Sequence, residues 1–297
     1  MKIEHFLASR QLLVEQSLES FLPVSQGPFG DHVAAMRYSL FVGGKRLRPI
    51  LCLAAAEAIT DNQGIISDML PTACALECIH TYSLIHDDLP AMDDDNLRRG
   101  RPTNHMVYGE AAAILAGDSL LTYAFELLSG PLNILSAEKK LLIINLIARA
   151  SGPEGMAGGQ SLDIANENRS YPFEILKTIH RSKTGALLAC SVEVGAIGAD
   201  APPEMADRLR EYGIEIGLAF QIVDDLLDAT STTEALGKTA GSDKAKGKAT
   251  YPSYFGIEKT RQIARETIER AKLSLSSFDH KAEPLRLLAD YIASRTY

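Results

Sequence analysis

Apolar residues recur at spacings of three and four along most of the chain and rarely alternate with polar ones. That period belongs to helices with one face turned to a core, and it leaves almost no signal for strands. Ala111 to Leu128 and Leu209 to Leu227 are clear examples. The pattern breaks at Gly43-Gly44, Pro90, Gly100 to Pro102, Gly130-Pro131, Gly152-Pro153, Pro202-Pro203 and Gly237 through Gly247, all residue types that end helices or form turns. Ordinary helix lengths between these breaks predict roughly ten or more helices and an all-α fold. No Pro-, Gly- or Ser-rich stretch is long enough to act as a linker, so residues 1–297 are expected to form a single domain.

Composition narrows the function. A net charge of −8 and a pI near 5.4 argue against general affinity for nucleic acid or anionic membrane, since both need an excess of Lys and Arg. The N-terminus lacks the layout of a signal peptide, and apolar runs such as Leu141 to Ala148 are too short to span a bilayer. A cytoplasmic protein is expected. Cys52, Cys74, Cys78 and Cys190 form no Cys-x-x-Cys pair and no zinc-ligand spacing, and read as small buried apolar residues in a reducing compartment.

Two acidic clusters recur, each after a long apolar helical run. The first, Asp87, Asp88, Asp93, Asp94 and Asp95, puts five carboxylates within nine residues and is followed by Arg98 and Arg99. A helix ending near Pro90 would place these carboxylates at its negative end, where they are unfavourable unless a cation is bound. Oxygen ligands without His or Cys suit Mg²⁺. An acidic run is more often a solvated loop, but the second cluster shifts the balance. Gly217, Gln221, Asp224, Asp225 and Asp228 form one polar stripe on a helix otherwise built from Ile216, Leu218, Phe220, Ile222, Val223, Leu226 and Leu227. Such a helix is buried, and buried carboxylates cost several kcal/mol each unless paired or metal-bound. Facing helices of a bundle commonly build such sites.

Basic residues stand in four places: Lys45, Arg46 and Arg48; Arg98 and Arg99; Lys183; and a Gly-rich stretch with Lys238, Lys244, Lys246 and Lys248. Guanidinium forks suit phosphate oxygens. Gly43-Gly44-Lys45 lacks the spacing of a Walker motif and any parallel-sheet context, so a nucleotide is given little weight. Carboxylates for metal and separate basic clusters fit two substrates, one diphosphate bridged by Mg²⁺ and another held directly.

These residues, in this order, make the chain similar to the short-chain trans-polyprenyl diphosphate synthases, particularly the bacterial farnesyl-forming ones. The resemblance covers nearly the whole chain. It is carried by Gly43-Gly44-Lys45-Arg46-Leu47-Arg48-Pro49, the first Asp-rich motif with two extra residues between its aspartates, Gly158-Gly159-Gln160 before Asp163, Lys183-Thr184-Gly185, Phe220-Gln221 leading into Asp224-Asp225-Leu226-Leu227-Asp228, and Gly237-Lys238. It implies an isoprenoid-synthase-type helical bundle around a central cavity, usually a homodimer, that joins isopentenyl diphosphate to dimethylallyl or geranyl diphosphate.

By the same resemblance Asp87, Asp88, Asp93 or Asp94, with Asp224 and nearby Asp228, hold three Mg²⁺ ions. On spacing, Asp87 with Asp93 and Asp88 with Asp94 are equal choices. Arg98, Lys183 and Lys248, with Lys238 close by, are implied to bind the allylic diphosphate. Lys45, Arg48, His80 and Arg99 are implied to take isopentenyl diphosphate. The carbonyl of Lys183, the hydroxyl of Thr184 and the amide of Gln221 are implied to stabilise an allylic cation. Ser83 and Tyr82, four and five residues before Asp87, are implied to set product length. Tyr82 lies roughly 7.5 Å below that Asp along a helix, which suits a farnesyl product, although an ordinary core ring is the plain alternative. Of the competing readings, a terpene cyclase would carry Asn, Ser and Glu in place of Asp224, Asp225 and Asp228. A non-catalytic subunit would lack one acidic motif, and a metal phosphohydrolase would need a histidine ligand set. A geranyl or geranylgeranyl product remains open. The C-terminal Tyr291 to Tyr297 carries only Arg295 where some relatives place a basic tail.

Overall fold

The structure is a computed structural model, and it describes residues 2–230 and 248–294. Lys238, Lys244, Lys246 and Arg295 lie outside those residues. In chain order the helices are α1 (Ile3–Phe21), α2 (Gly30–Phe41), α3 (Leu47–Glu57), α4 (Gln63–Asp68), α5 (Leu70–Asp87), α6 (Asn104–Tyr108), α7 (Glu110–Ser129), α8 (Ala137–Ser151), α9 (Met156–Ala165), α10 (Phe173–Ile179), α11 (Ala186–Gly198), α12 (Pro203–Thr230), α13 (Tyr251–Phe255), α14 (Ile257–Ser274) and α15 (Glu283–Ser294). The all-α expectation is met.

Helix boundaries follow local chemistry. Asn62 and Ser136 cap α4 and α8 by accepting the backbone N–H groups of Gly64 and Lys139. Thr250 and Ser253 form a reciprocal capping box at the start of α13. Helix α5 has Pro71 in its first turn, where the missing N–H matters least. Pro71 through Ile79 are then buried without interruption, as expected of a helix that is apolar on nearly every side.

Two connected cores result. One gathers α5 and α7 with Leu76, Ile79, Leu120 and Leu127; the other gathers α12, α14 and α15 with Tyr212, Ile216, Ile268 and Leu288. Helices α3 and α11 join them, packed so closely that a side chain on Gly195 would meet the carbonyl oxygen of Cys52 at 2.1 Å. The four cysteines are all free and buried.

Two findings depart from expectation. A two-stranded hairpin, β1 (Leu97–Arg98) and β2 (Arg101–Pro102), interrupts the helices. Its central residues Arg99 and Gly100 have φ of 54° and 74°, the left-handed pair that the tightest hairpins require. Secondly, α7 is long and apolar enough to cross a membrane by length and composition. Here one of its faces lies along α5, and Ala113, Ala116, Leu120 and Ala124 are buried there.

Candidate active site

The first acidic motif folds back on the end of α5. Asp93 N–H donates to the Asp87 carbonyl at 2.8 Å, and Asp95 N–H donates to the Asp88 carbonyl at 3.2 Å. The loop between the aspartates thus returns Asp93 beside Asp87. The two pairs that spacing left equal are therefore unlike in structure. Asp88 is 3% exposed and grips Arg98, accepting from Nε at 2.8 and 2.9 Å and from Nη2 at 2.5 Å. Asp94 is exposed, with a left-handed φ of 52°. Asp87 and Asp93 stand together, and Asp93 faces Lys248. Burial, with repulsion from Asp93 and Asp88, pushes the Asp87 carboxyl up to about 6, although Lys183 and Arg98 oppose the shift.

Opposite stands a lysine pair. Lys183 and Lys248 both donate to Oδ2 of Asp163, at 2.8 and 3.2 Å. Lys248 Nζ also lies 3.5 Å from Asp93 and 3.4 Å from Glu167. Burial alone would raise the Asp163 carboxyl and lower Lys248, but the ion pairs reverse both shifts. Lys183 and Thr184 sit in a single π-helical turn, His180–Gly185, the kind of irregularity that re-aims side chains at functional sites. Close packing holds that turn. A side chain on Gly159 would meet the Lys183 backbone nitrogen at 2.2 Å, and one on Gly217 would meet Gly185 Cα at 2.9 Å. The latter contact brings Thr184 to the α12 segment carrying Gln221 and Asp224.

On α12, Asp225 and Asp228 are both buried. Asp225 accepts the backbone N–H of Tyr251 at 2.8 Å and lies 3.7 Å from His180 Nε2. It thus anchors the start of α13, three residues beyond Lys248.

A separate basic pocket forms where α2 meets α3. The Arg99 guanidinium occupies the space that a side chain on Gly44 would need, 2.5 Å from its Cβ position, and donates to the Gly43 carbonyl. Only glycine permits that approach. Arg48 is half-buried and drawn down to about 10 by desolvation, against the attraction of Glu77 and Asp224. His80 is held well below its ordinary value by burial and then by Arg48, Arg99, Arg98 and Arg46, and is neutral at pH 7. Lys45 sits exposed at the rim. The sequence motifs thus bring Lys45, Arg48, His80 and Arg99 to one place, separate from the lysine pair. Arg46, which the basic run seemed to offer with them, is instead 2% exposed and turned into the core.

Tyr82 and Ser83 lie half-buried on α5. Ser83, one turn before Asp87, shares its face. The Tyr82 ring stands edge-on to His86, with centroids 5.8 Å apart. His86 Nε2 rests 3.0 Å from the Ile114 carbonyl oxygen, over Gly117. Three functional candidates escaped the sequence reading: Asp163, which sorts the lysines, Glu77, and Asp225 as an anchor rather than a member of the open stripe. Glu77 signalled itself only as a lone carboxylate within an apolar helix, while Asp163 and Asp225 stood in motifs that did not disclose their partners.

Among the described residues, no three acidic, His or Cys side chains form one closed cluster. Oxygen donors are nevertheless concentrated, and Asp87 carries unfavourable charge. This donor set fits Mg²⁺, which keeps waters and completes its shell from substrate phosphates.

The all-helical bundle, with carboxylates gathered opposite a lysine pair and a second group of basic residues apart from them, has the layout of a prenyltransferase. Residues 32–282 match the Polyprenyl synthetase family, and the chain belongs to it. It is 47% identical to a geranylgeranyl diphosphate synthase of Cyanophora paradoxa over 98% of this chain and 95% of that one. It is 44% identical to the farnesyl diphosphate synthase of Bacillus subtilis over 100% and 99%. A solved structure of an FPP/GFPP synthase from Zymomonas mobilis superposes with a TM-score of 0.87 at 39% identity, covering 98% of both chains.

Proposed function

We propose that the protein condenses isopentenyl diphosphate with dimethylallyl or geranyl diphosphate to give farnesyl diphosphate. The observation that carries this reading is the pairing of Asp87 and Asp93 opposite Lys183 and Lys248, with Tyr82 on the helix beneath. Asp87, Asp93 and Asp224, with Asp228 behind, would hold Mg²⁺, which neutralises the departing diphosphate. Lys183 and Lys248 leave Asp163 for the allylic diphosphate, with Arg98 beside them. As the allylic C–O bond breaks, the Lys183 carbonyl, the Thr184 hydroxyl and the Gln221 amide face the cation. Isopentenyl diphosphate, its diphosphate held by Lys45, Arg48, neutral His80 and Arg99, attacks through its double bond. A proton then passes to the released diphosphate. The apolar walls of α5 and α7 keep water from the cation.

The test is chromatography of products from labelled isopentenyl diphosphate, an allylic diphosphate and Mg²⁺, with a chelator control. A metal-dependent C15 product supports the reading. A C20 or C10 product keeps the chemistry and removes the farnesyl assignment, and no condensation removes both.

The exposed face of α7 and α8 belongs to the same proposal. Ile114 and Leu115 on α7 are 43% and 56% exposed, and Leu141 and Leu142 on α8 are 69% and 47% exposed. A second copy of the chain is proposed to cover it. Light scattering is expected to give twice the 32.2 kDa chain mass, and Leu115→Lys to shift the protein towards monomer. A monomeric wild type would remove the dimer, and flotation of that monomer with lipid vesicles would assign the face to a membrane.

A further inference from the structure

Glu77 is the one carboxylate in the fully buried stretch of α5, and it is 2% exposed. An ionised group there is strongly unfavourable unless matched. Its partner is Arg46, also 2% exposed, whose Nη1 donates to Glu77 at 2.9 Å. The other end of that guanidinium donates to the Leu40 carbonyl at 2.5 Å, so it ties the end of α2 to α5. Arg46 adopts a left-handed φ of 51°, a backbone conformation that is strained for a non-glycine residue. Its side chain is turned inward while Lys45 remains at the surface. From α1, Gln11 donates to the Gly44 carbonyl at 3.1 Å and closes the loop from the other side.

The consequence for the pocket is electrostatic. Arg46, Arg48, Arg98 and Arg99 crowd around His80, and like charges at such spacing repel strongly when desolvated. The Glu77 carboxylate is the largest favourable charge acting on both Arg48 and Arg99. It stands three residues before His80, one turn away on the same helix.

We propose that Glu77 is a positioning residue for the isopentenyl diphosphate pocket, a buried counter-charge that fixes the loop from Gly43 to Arg48 through Arg46 and holds Arg48 and Arg99 together. This rests on the reading that Lys45, Arg48, His80 and Arg99 take that substrate. Glu77 touches no substrate. It sets the spacing of groups that do, so its loss is felt at one pocket and spares the lysine pair at Asp163.

Steady-state kinetics of the full chain test this. Glu77→Gln is expected to raise KM for isopentenyl diphosphate at least about tenfold, the size of one lost charge-assisted contact. KM for the allylic diphosphate is expected to stay within about twofold. An equal rise in both values, or no rise in either, overturns the proposal. Glu77→Gln leaves buried Arg46 with only Glu15, 3.4 Å from its Nε, as a counter-charge and can unfold the chain, so the double variant Arg46→Gln with Glu77→Gln, which removes both charges, is measured alongside. A selective rise that persists in the folded double variant is the expected result. Restoration of the wild-type KM there means that Glu77 only balances Arg46, and the proposal fails. Absence of condensation by the wild type is a different failure, that of the prenyltransferase site itself.

Discussion

Asp87→Asn lowers turnover by at least about a thousandfold, roughly 4 kcal/mol of lost transition-state stabilisation, and stabilises the metal-free protein at neutral pH. The two effects have one cause. The carboxyl stands at about 6 in the fold against an ordinary 3.8. Below 3.8 it is protonated in both folded and unfolded chains and costs nothing. Between 3.8 and about 6 the unfolded chain gives up the proton while the folded chain keeps it, because ionisation there is opposed by burial and its neighbours, so stability is lost across that window. The loss is complete above it, and at most about 3 kcal/mol. Asparagine removes it. Thermal unfolding in chelator is therefore expected to favour the variant at pH 7.5, with the gap closing towards pH 4. Asp224→Ala loses turnover comparably while keeping its helical circular dichroism signal. Near-normal turnover in either purified variant would refute the metal-site assignment, and a less stable Asp87→Asn would show that the charge is already balanced.

Tyr82→Ala shifts the main product from C15 to C20. The ring is braced by His86, which is itself lodged over Gly117 on α7, so it cannot swing aside for a longer chain without moving two helices. Its phenol is raised by burial and by Asp87, placing it below the reacting end. Removing the ring opens a dry, apolar space along α5, and interiors collapse only partly around such losses. Chromatography of the dephosphorylated products checks this. An unchanged C15 product would move the floor to another residue, such as Ser83, which lies directly beneath Asp87 on its own helical face.

The fold was largely legible because apolar spacing over long helices is a redundant signal, as along α12. Lys183, Thr184 and Asp224 could be singled out as candidates because each belongs to a short ordered motif. What could not be read was the sign of each contact. Asp88 and Asp94 matched Asp87 and Asp93 in spacing, and only the folded-back loop gives Asp88 to Arg98. Arg46 resembled its neighbours Lys45 and Arg48, but a left-handed backbone turned it inward. The hairpin at Arg99 and Gly100 is too short for any period to register. Tertiary packing decided each case.

That hairpin has a further consequence. Arg98 and Arg99 are consecutive residues on a turn with no slack, yet the first reaches Asp88 at the acidic mouth and the second reaches Gly43 in the other basic pocket. A ligand that draws on either arginine is expected to pull on the backbone they share. The expected result is a change in Kd at one pocket when the other is filled, and thermodynamic reciprocity makes such a linkage equal in both directions.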